Sequence, residues 1–367
     1  MQRNILITGG AGFIGSRLAY ALLQAEPSSR IWILDNLHPQ VHGLNATPPI
    51  FSDSVEFVCG DVADKATMYS VVASAKPELV YHLAAETGTG QSYDEVIRYC
   101  DANVTGTANL IEAVRAKSSV ATRKIVLAAS RAVYGEGGYR DAEGTIYVGL
   151  PRQAEAMSSR NFEVPLPAQA KLPAQAIPSD ANLPVAPASV YASTKLMQEY
   201  LLNQTGEGAS WKSTILRFQN VYGPGQSLCN PYTGVLSIFS RQLLEGKRLA
   251  IYEDGLIARD FVYIDDVVDA LVKTGQRDLP HGTTMDIGTG EAVSILDVAR
   301  LLMRNLGCPD DNYDITGQFR VGDIRYACAD THAARELLGW EPHINVEAGL
   351  ALLANWARTE FKINNTL

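Results

Sequence analysis

In the stretch PASVYASTK, residues 187–195, Tyr191 precedes Lys195 by four positions. On a helix that spacing puts both side chains on one face, one turn apart. A phenol has an ordinary pKa of about 10, so it serves as a base near neutral pH only when positive charge depresses that value. The Lys195 ammonium is expected to supply such charge. With 16 Tyr and 10 Lys in 367 residues, chance alone gives roughly 0.4 such pairs, so the pair takes its meaning from what surrounds it.

A second stretch, LITGGAGFIGS, places Gly9, Gly12 and Gly15 between an apolar run and a helix-length segment. Gly9 permits a tight turn, Gly12 lets the backbone approach a pyrophosphate, and Gly15 allows close helix packing. The helix N-terminus adds N–H donors for the anion. Asp35, at the end of IWILD, follows Gly15 by 20 residues, where a carboxylate accepts hydrogen bonds from both hydroxyls of a ribose. Because that charge repels a 2′-phosphate, the expected cofactor is NAD rather than NADP. Asp61, in CGDV, has two readings: a partner for the adenine amino group, or the N-cap of the helix predicted over 64–75.

These residues need a frame, and the first 130 positions supply one by alternating short apolar runs with helix-length segments. NILIT (4–8), IWILD (31–35), VEFVCGD (55–61), LVYHLAA (79–85) and KIVLAAS (124–130) read as buried strands, rich in β-branched residues and without polar alternation. Helices are predicted between them at 13–25, 64–75 and 93–117. The pattern is that of an α/β, Rossmann-like doubly wound parallel sheet, whose ligands sit beyond the carboxyl ends of the strands. Residues 136–187 break it with Pro, Ala and Gln, and read either as a functional insertion or lid or as a mobile surface excursion. The wound pattern resumes with a helix at 190–204 and a strand at 213–218. After that, RLAIY, DFVYI and TMDIG alternate with helices at 234–245, 265–275, 294–306 and 331–338. The expected division is a cofactor domain over 1–220, to which later segments such as 261–275 return, and a smaller C-terminal α/β substrate domain over most of 221–367.

Composition narrows the function classes. A formal net charge of −9 does not suit a polyanion binder, so no nucleic-acid partner is expected and any functional arginine should act on a small anion. Five widely spaced cysteines, Cys59, Cys100, Cys229, Cys308 and Cys328, show no metal-ligand spacing and read as reduced packing residues. No metal site is expected. The N-terminus lacks a charged region followed by an apolar one, and no apolar run reaches the roughly 18 residues that span a bilayer, so a cytoplasmic protein without a membrane partner is expected.

Taken together and in order, GGAGFIG, HLAA, NVTGT, SRAVYG, YASTK, LRFQNVYGPG and RDFVYIDD resemble the extended short-chain dehydrogenase/reductases of the NAD-dependent epimerase/dehydratase family. The resemblance runs from about residue 3 to residue 341 and lapses mainly across 136–187. It implies NAD in the first domain, a nucleotide-diphosphate sugar in the second, and a homodimer built on helices 93–117 and 190–204. By the same resemblance Ser130, Tyr191 and Lys195 are the catalytic residues: Tyr191 the base on a sugar hydroxyl, Ser130 sharing its proton, Lys195 also holding the nicotinamide ribose. Phe13, Ile14, Asn36, Val62, Leu83, Ala84 and Ala85 are expected to line the cofactor site with Gly9, Gly12, Gly15, Asp35 and Asp61.

The resemblance also separates branches of the family. Its 4,6-dehydratases carry an Asp-Glu pair after the residue matching Ser130, because loss of water needs a second acid and base. Here Arg131 and Ala132 stand there, and the acidic Asp35 disfavours an NADPH-driven reductase. Sugar epimerisation, at C4 and for surface polysaccharide or deoxysugar synthesis, is therefore the leading expectation. A dehydratase or reductase and a non-catalytic NAD-binding regulator are its rivals. Within the family the chain resembles sugar-nucleotide 4-epimerases acting on dTDP-sugars, although the insertion lacks the cysteines common there. Asn220, Arg259 and Arg320 match positions that hold the diphosphate. Asp323 either orients Arg320, meets a ribose hydroxyl, or forms an ordinary salt bridge. Thr87, Thr89 and Gln91, in AETGTGQS, offer hydroxyl and amide partners for the sugar. Asn103 reads as a support for the Tyr191 helix, Arg217 as structural, and His82 as a packed core histidine.

Overall fold

The computed structural model describes residues 3–43, 46–49, 51–116, 122–228, 230, 232 and 234–364. Strand β1 (Asn4–Thr8) feeds helix α1 (Phe13–Ala25), and β2 (Arg30–Asp35), the short α2 (Pro39–His42), β3 (Val55–Cys59), α3 (Lys65–Ala75) and β4 (Leu79–His82) follow. Next come α4 (Val96–Tyr99), a π-helical stretch over Cys100–Thr105, α5 (Gly106–Arg115) and β5 (Lys124–Ser130). The excursion holds β6 (Gly138–Arg140), β7 (Ile146–Val148), α6 (Ala154–Ser158) and β8 (Gln175–Ile177). Beyond it lie α7 (Val190–Gly206), β9 (Lys212–Phe218), β10 (Asn220–Tyr222), α8 (Val235–Leu244), β11 (Leu249–Ile251), β12 (Ala258–Tyr263) and α9 (Ile264–Gln276). The chain closes with β13 (Thr283–Ile287), β14 (Ala292–Ser294), α10 (Ile295–Leu306), β15 (Tyr313–Ile315), β16 (Tyr326–Ala327), α11 (His332–Leu338) and α12 (Val346–Asn364).

Seven strands form one parallel sheet in the order β13-β9-β5-β4-β1-β2-β3. Successive side chains of a strand point to opposite faces, and β1 shows the result. Ile5 and Ile7 join a core with Leu18 and Leu22 of α1, while Leu6 joins another with Met68 and Val72 of α3. Burial on both faces explains the unbroken apolar runs in the sequence. The strand order reverses between β1 and β4, and that reversal leaves a crevice at their carboxyl ends where no crossover helix lies.

The structure departs from the sequence reading in four places. First, Thr283–Ile287 pairs with β9 and forms an edge of the main sheet, although TMDIG read as part of the C-terminal unit. A short apolar run carries no mark of which sheet receives it. Second, the helix predicted over 93–117 is broken into α4, a π segment and α5, with residue 117 outside the described residues. Third, the excursion contains a three-stranded antiparallel sheet, β7-β6-β8, whose strands are too short to show a period. Fourth, α12 was not anticipated. Its Leu350 and Leu353 share the apolar core that contains Leu236 of α8 and Leu302 of α10.

Among the described residues, Cys328 is buried, Cys100 and Cys308 are half-buried, and Cys59 is exposed at the end of an edge strand and does not pack in the core. Cys229 lies outside the described residues. No helix among them is long and apolar enough to cross a membrane.

Candidate active site

The glycine-rich turn stands between β1 and α1 at the reversal of strand order. Gly9 has φ +69°, and a Cβ there would come within 2.7 Å of the Ala84 backbone nitrogen, so the turn can approach the segment after β4 only as glycine. Gly15 likewise presses on the Gly9 carbonyl and Gly10. Around Gly12 a Cβ would meet only the Gly9 carbonyl, and its remaining side opens on a cleft of about 340 Å³. Gly9, Gly12, Phe13, Ile14, Gly15, Asp35, Asn36, Asp61, Val62, Leu83, Ala84 and Ala85 line that cleft together, and Thr87 and Ala128 lie at it too.

Asp35 is buried at the end of β2, with Oδ2 accepting from Ala11 N at 3.0 Å and Oδ1 from Leu37 N at 2.9 Å. The carboxylate is thereby fixed against the glycine turn. Asp61 accepts from Asn36 Nδ2 at 2.9 Å and from Ala63 N at 2.8 Å. Asp64, not Asp61, caps α3, accepting from Ala66 N, which removes the capping alternative for Asp61. A cleft walled by glycine backbone, open at a helix N-terminus and closed by a fixed carboxylate at the end of the second strand fits a dinucleotide with an unphosphorylated ribose.

Three predicted residues come together beside it. Ser130 ends β5 and Tyr191 lies in the first turn of α7, so that the serine hydroxyl stands close enough to the phenol to act on it. Lys195, one turn along α7, is buried and donates from Nζ to the Ala128 carbonyl at 2.7 Å. Burial holds the Tyr191 phenol above its ordinary range, while Ser130 and then the Arg131 charge pull it down. Burial lowers Lys195 to about 7, opposed by Glu199. Arg131 is a cation bearing on the phenol that the sequence reading does not name, while Lys195 gives one of its three N–H donors to a strand carbonyl and keeps two.

The helix bearing Tyr191 is braced from the opposite side. Asn103, fully buried in the π segment, donates from Nδ2 to Thr194 Oγ1 at 2.9 Å and accepts from Glu86 N at 2.8 Å. Thr194 in turn donates to the Tyr191 carbonyl at 2.8 Å. A π insertion of this kind re-aims a side chain that an unbroken helix would turn elsewhere. Tyr99, which the sequence reading passed over, packs edge-on to Tyr191 with ring centroids 6.3 Å apart, and its hydroxyl donates to the Thr87 and Gly88 carbonyls. His82 is a core residue, hydrogen-bonded to Thr8 and Thr107, and burial holds it neutral with a pKa of about 3.

The loop after β4 is divided. Thr87 is exposed at the cleft and Thr89 is half-buried. Gln91 is a correction: it is buried, and its amide is engaged by Gln40 at 2.9 Å and Glu95 at 2.8 Å, leaving it a brace of the cleft wall rather than a sugar partner. Glu86 is paired with Arg98 at 2.8 Å.

Arginines gather on the other side of Ser130. Arg131 opens the short turn after β5, is half-buried, and has no ion pair among the described residues; burial and then Arg259 lower it to about 9. Arg259 of β12 is buried and pairs with Asp323 Oδ1 at 2.6 Å, with further donations to the Ile324 and Ala258 carbonyls. Asp323 thus faces Arg259, not Arg320 as one reading had it. Arg320 is exposed and stacks 5.1 Å from the Tyr252 ring centroid. Asn220 opens β10 with a buried Oδ1 that has no partner, an acceptor left for a ligand donor. Arg217 is structural, bonded twice to Glu199, at 3.0 and 2.7 Å, and once to the Tyr134 hydroxyl at 2.7 Å. Among the described residues no group of three or more His, Cys, Asp or Glu could hold a metal ion.

Residues 6–145 match the family described as GDP-mannose 4,6 dehydratase, and residues 167–288 the NAD dependent epimerase/dehydratase family. A dTDP-L-rhamnose 4-epimerase from Burkholderia thailandensis is 41% identical over 99% of this chain and 97% of its own length. A UDP-glucose 4-epimerase from Mycolicibacterium smegmatis is 32% identical over 97% and 98%. Of the solved structures, a UDP-glucose 4-epimerase with UDP-glucose from Thermotoga maritima superposes with a TM-score of 0.78 at 27% identity, covering 98% of this chain and 99% of that one. MoeE5 in complex with UDP-glucuronic acid and NAD gives 0.75 at 27%, covering 97% and 99%.

Proposed function

The chain belongs to the NAD-dependent epimerase/dehydratase family, and on that premise we propose that it inverts C4 of a nucleotide-diphosphate sugar, with Ser130, Tyr191 and Lys195 as its catalytic residues. It is an NAD-dependent nucleotide-sugar epimerase. The observation that carries the reading is the Ser130–Tyr191 hydroxyl pair at the edge of the glycine-rich cleft, with Arg131 and Ala132 following Ser130.

In this reading Gly12, the α1 N-terminus and Asp35 hold NAD, and Lys195 meets its nicotinamide ribose. NAD held there would supply the acceptor and donor of the hydride that leaves and rejoins the sugar carbon, so no reductant would be consumed. Tyr191 accepts the sugar hydroxyl's proton and later returns it. Ser130 orients that hydroxyl, and Arg131 favours the phenolate against the burial that opposes it. Dehydration would need a further free acid and base. The nearby carboxylates are already engaged: Glu136 by Arg152, Glu86 by Arg98 and Asp323 by Arg259. Arg259, Arg320 and the Asn220 amide N–H take the diphosphate, and Thr87 and Thr89 the sugar.

The dTDP-L-rhamnose 4-epimerase relative makes a dTDP-deoxysugar the preferred substrate class. We also propose a cytoplasmic homodimer: Val96 and Ile97 of α4 and Met197 and Tyr200 of α7 are exposed apolar residues on packed helices, and covering them would complete a bundle. The decisive experiment is incubation with dTDP-L-rhamnose, UDP-glucose, GDP- and CDP-sugars without added reductant. An epimer from one of them supports the assignment, and a 4-keto-6-deoxy product overturns it.

A further inference from the structure

Residues 136–187 interrupt the Rossmann-like pattern, yet the excursion sends two buried charges into the substrate side of the molecule. Arg152 and Glu136 have side chains only 2% and 4% exposed and pair at 2.9 Å through Nε and Oε1. The second anchor is Glu253, fully buried, whose two carboxylate oxygens each accept from Arg152 Nη1 at 2.9 Å. Glu253 itself sits at φ +52°, a conformation a non-glycine residue keeps only where its surroundings insist on it.

What this cluster grips is the segment that carries Asp323. Arg152 Nη2 donates to the Asp323 carbonyl at 2.8 Å, and Glu136 Oε2 accepts from Arg325 N at 2.7 Å. Between those two anchors the Asp323 carboxylate meets Arg259, whose guanidinium also donates to the Ile324 carbonyl at 2.7 Å. Arg325 closes the cluster by pairing with Glu253 at 3.0 Å and Asp254 at 2.7 Å. The backbone at 323–325 is therefore held from both ends by residues of the excursion. Fixed donors of this kind hold the charged groups of a site in place.

We propose that Arg152 and Glu136 are positioning residues for the diphosphate end of the nucleotide-sugar site, acting by clamping residues 323–325 so that Asp323 aims Arg259. The excursion is in this view a wall of the substrate site and not a decoration of the cofactor domain. The inference rests on the assignment of Arg259 to the diphosphate.

Lysine keeps a positive charge between Glu136 and Glu253 but lacks the fork that reaches the Asp323 carbonyl, so Arg152→Lys isolates the clamp. The test titrates dTDP and UDP, and separately NAD, into the wild type, Arg152→Lys and Arg259→Gln, with thermal midpoints measured alongside. The expected result is about a tenfold loss of nucleoside diphosphate affinity in Arg152→Lys, with NAD affinity held near wild type and the thermal midpoint lowered by only a few degrees. An unchanged nucleoside diphosphate affinity in Arg152→Lys beside a loss in Arg259→Gln overturns the clamp and leaves the diphosphate assignment standing. Full affinity in Arg259→Gln overturns the assignment itself. Equal losses of dTDP and NAD affinity in Arg152→Lys show a merely structural tie and also overturn the proposal. Should Arg152→Lys not fold, Glu136→Gln, which weakens the hold on Arg325 N and Arg152, decides by the same three readings.

Discussion

The ammonium of Lys195 donates a 2.7 Å hydrogen bond to the carbonyl of Ala128, two residues before Ser130 in the same strand. That bond ties the tyrosine-bearing helix to the strand that carries the serine. It also leaves the phenol of Tyr191 between two neighbours of opposite effect, an apolar burial that resists ionisation and an arginine that favours it.

If Tyr191 is the base, replacing it with phenylalanine removes the proton acceptor and little else. Tyr191→Phe is expected to lower kcat by about a thousandfold while NAD affinity stays within about threefold. Stopped turnover assays and calorimetry check the two parts separately.

Arg131 supplies positive charge to that phenol, so its loss must make the phenolate harder to form. In Arg131→Gln the acid limb of the kcat/KM profile should move to higher pH by about half a unit to one unit. Arg131→Lys should restore most of it. An unmoved limb in both variants would remove Arg131 from the chemistry.

Asp35 is held by two backbone N–H groups at the end of β2, where its charge opposes a 2′-phosphate. The wild type should bind NAD at least about a hundredfold better than NADP, and Asp35→Ala should narrow the ratio to within about tenfold, chiefly by weakening NAD. Calorimetry with both dinucleotides measures the ratio.

Stability should carry a pH signature from Asp286. Burial pushes its carboxyl up to about 8, against the hydrogen bond from Tyr134. The folded chain keeps this proton while the unfolded chain sheds it near the ordinary value of about 4. Its stabilising contribution is thus full below pH 4 and is lost as pH rises towards 8. His82, lowered to about 3, contributes the opposite slope only below its ordinary value of 6.5. Between pH 6.5 and 8 the wild type should therefore lose about 2 kcal/mol relative to Asp286→Asn, read from urea denaturation at each pH.

The parts of this site that were legible in the sequence are those whose chemistry is local. The glycine turn, Asp35 and the Tyr191–Lys195 spacing each lie within one strand–turn–helix or one helical turn, so a short window holds the whole arrangement. The seven-stranded sheet was legible through its apolar runs; β13 also reads as a strand, but nothing in its residues says which sheet receives it. Gln91 misled because an amide in a polar loop looks free until Gln40, 51 positions away, is seen to take it. The Arg152 cluster was silent for the same reason: its partners lie 101 and 171 positions along the chain. Asn103 reads as a support from sequence, but the π turn that aims it leaves no mark in residue type.

The late arrival of β13 sets a rule for how the molecule can be made and cut. The edge of β9 stays open during synthesis until residues 283–287 emerge, after nearly half of the C-terminal unit has been translated. A fragment ending at residue 220 would carry the glycine turn, Ser130, Tyr191 and Lys195 but would expose one side of β9 as a row of unpaired N–H and C=O groups. Such a piece should self-associate on a sizing column instead of persisting as a free-standing dinucleotide module.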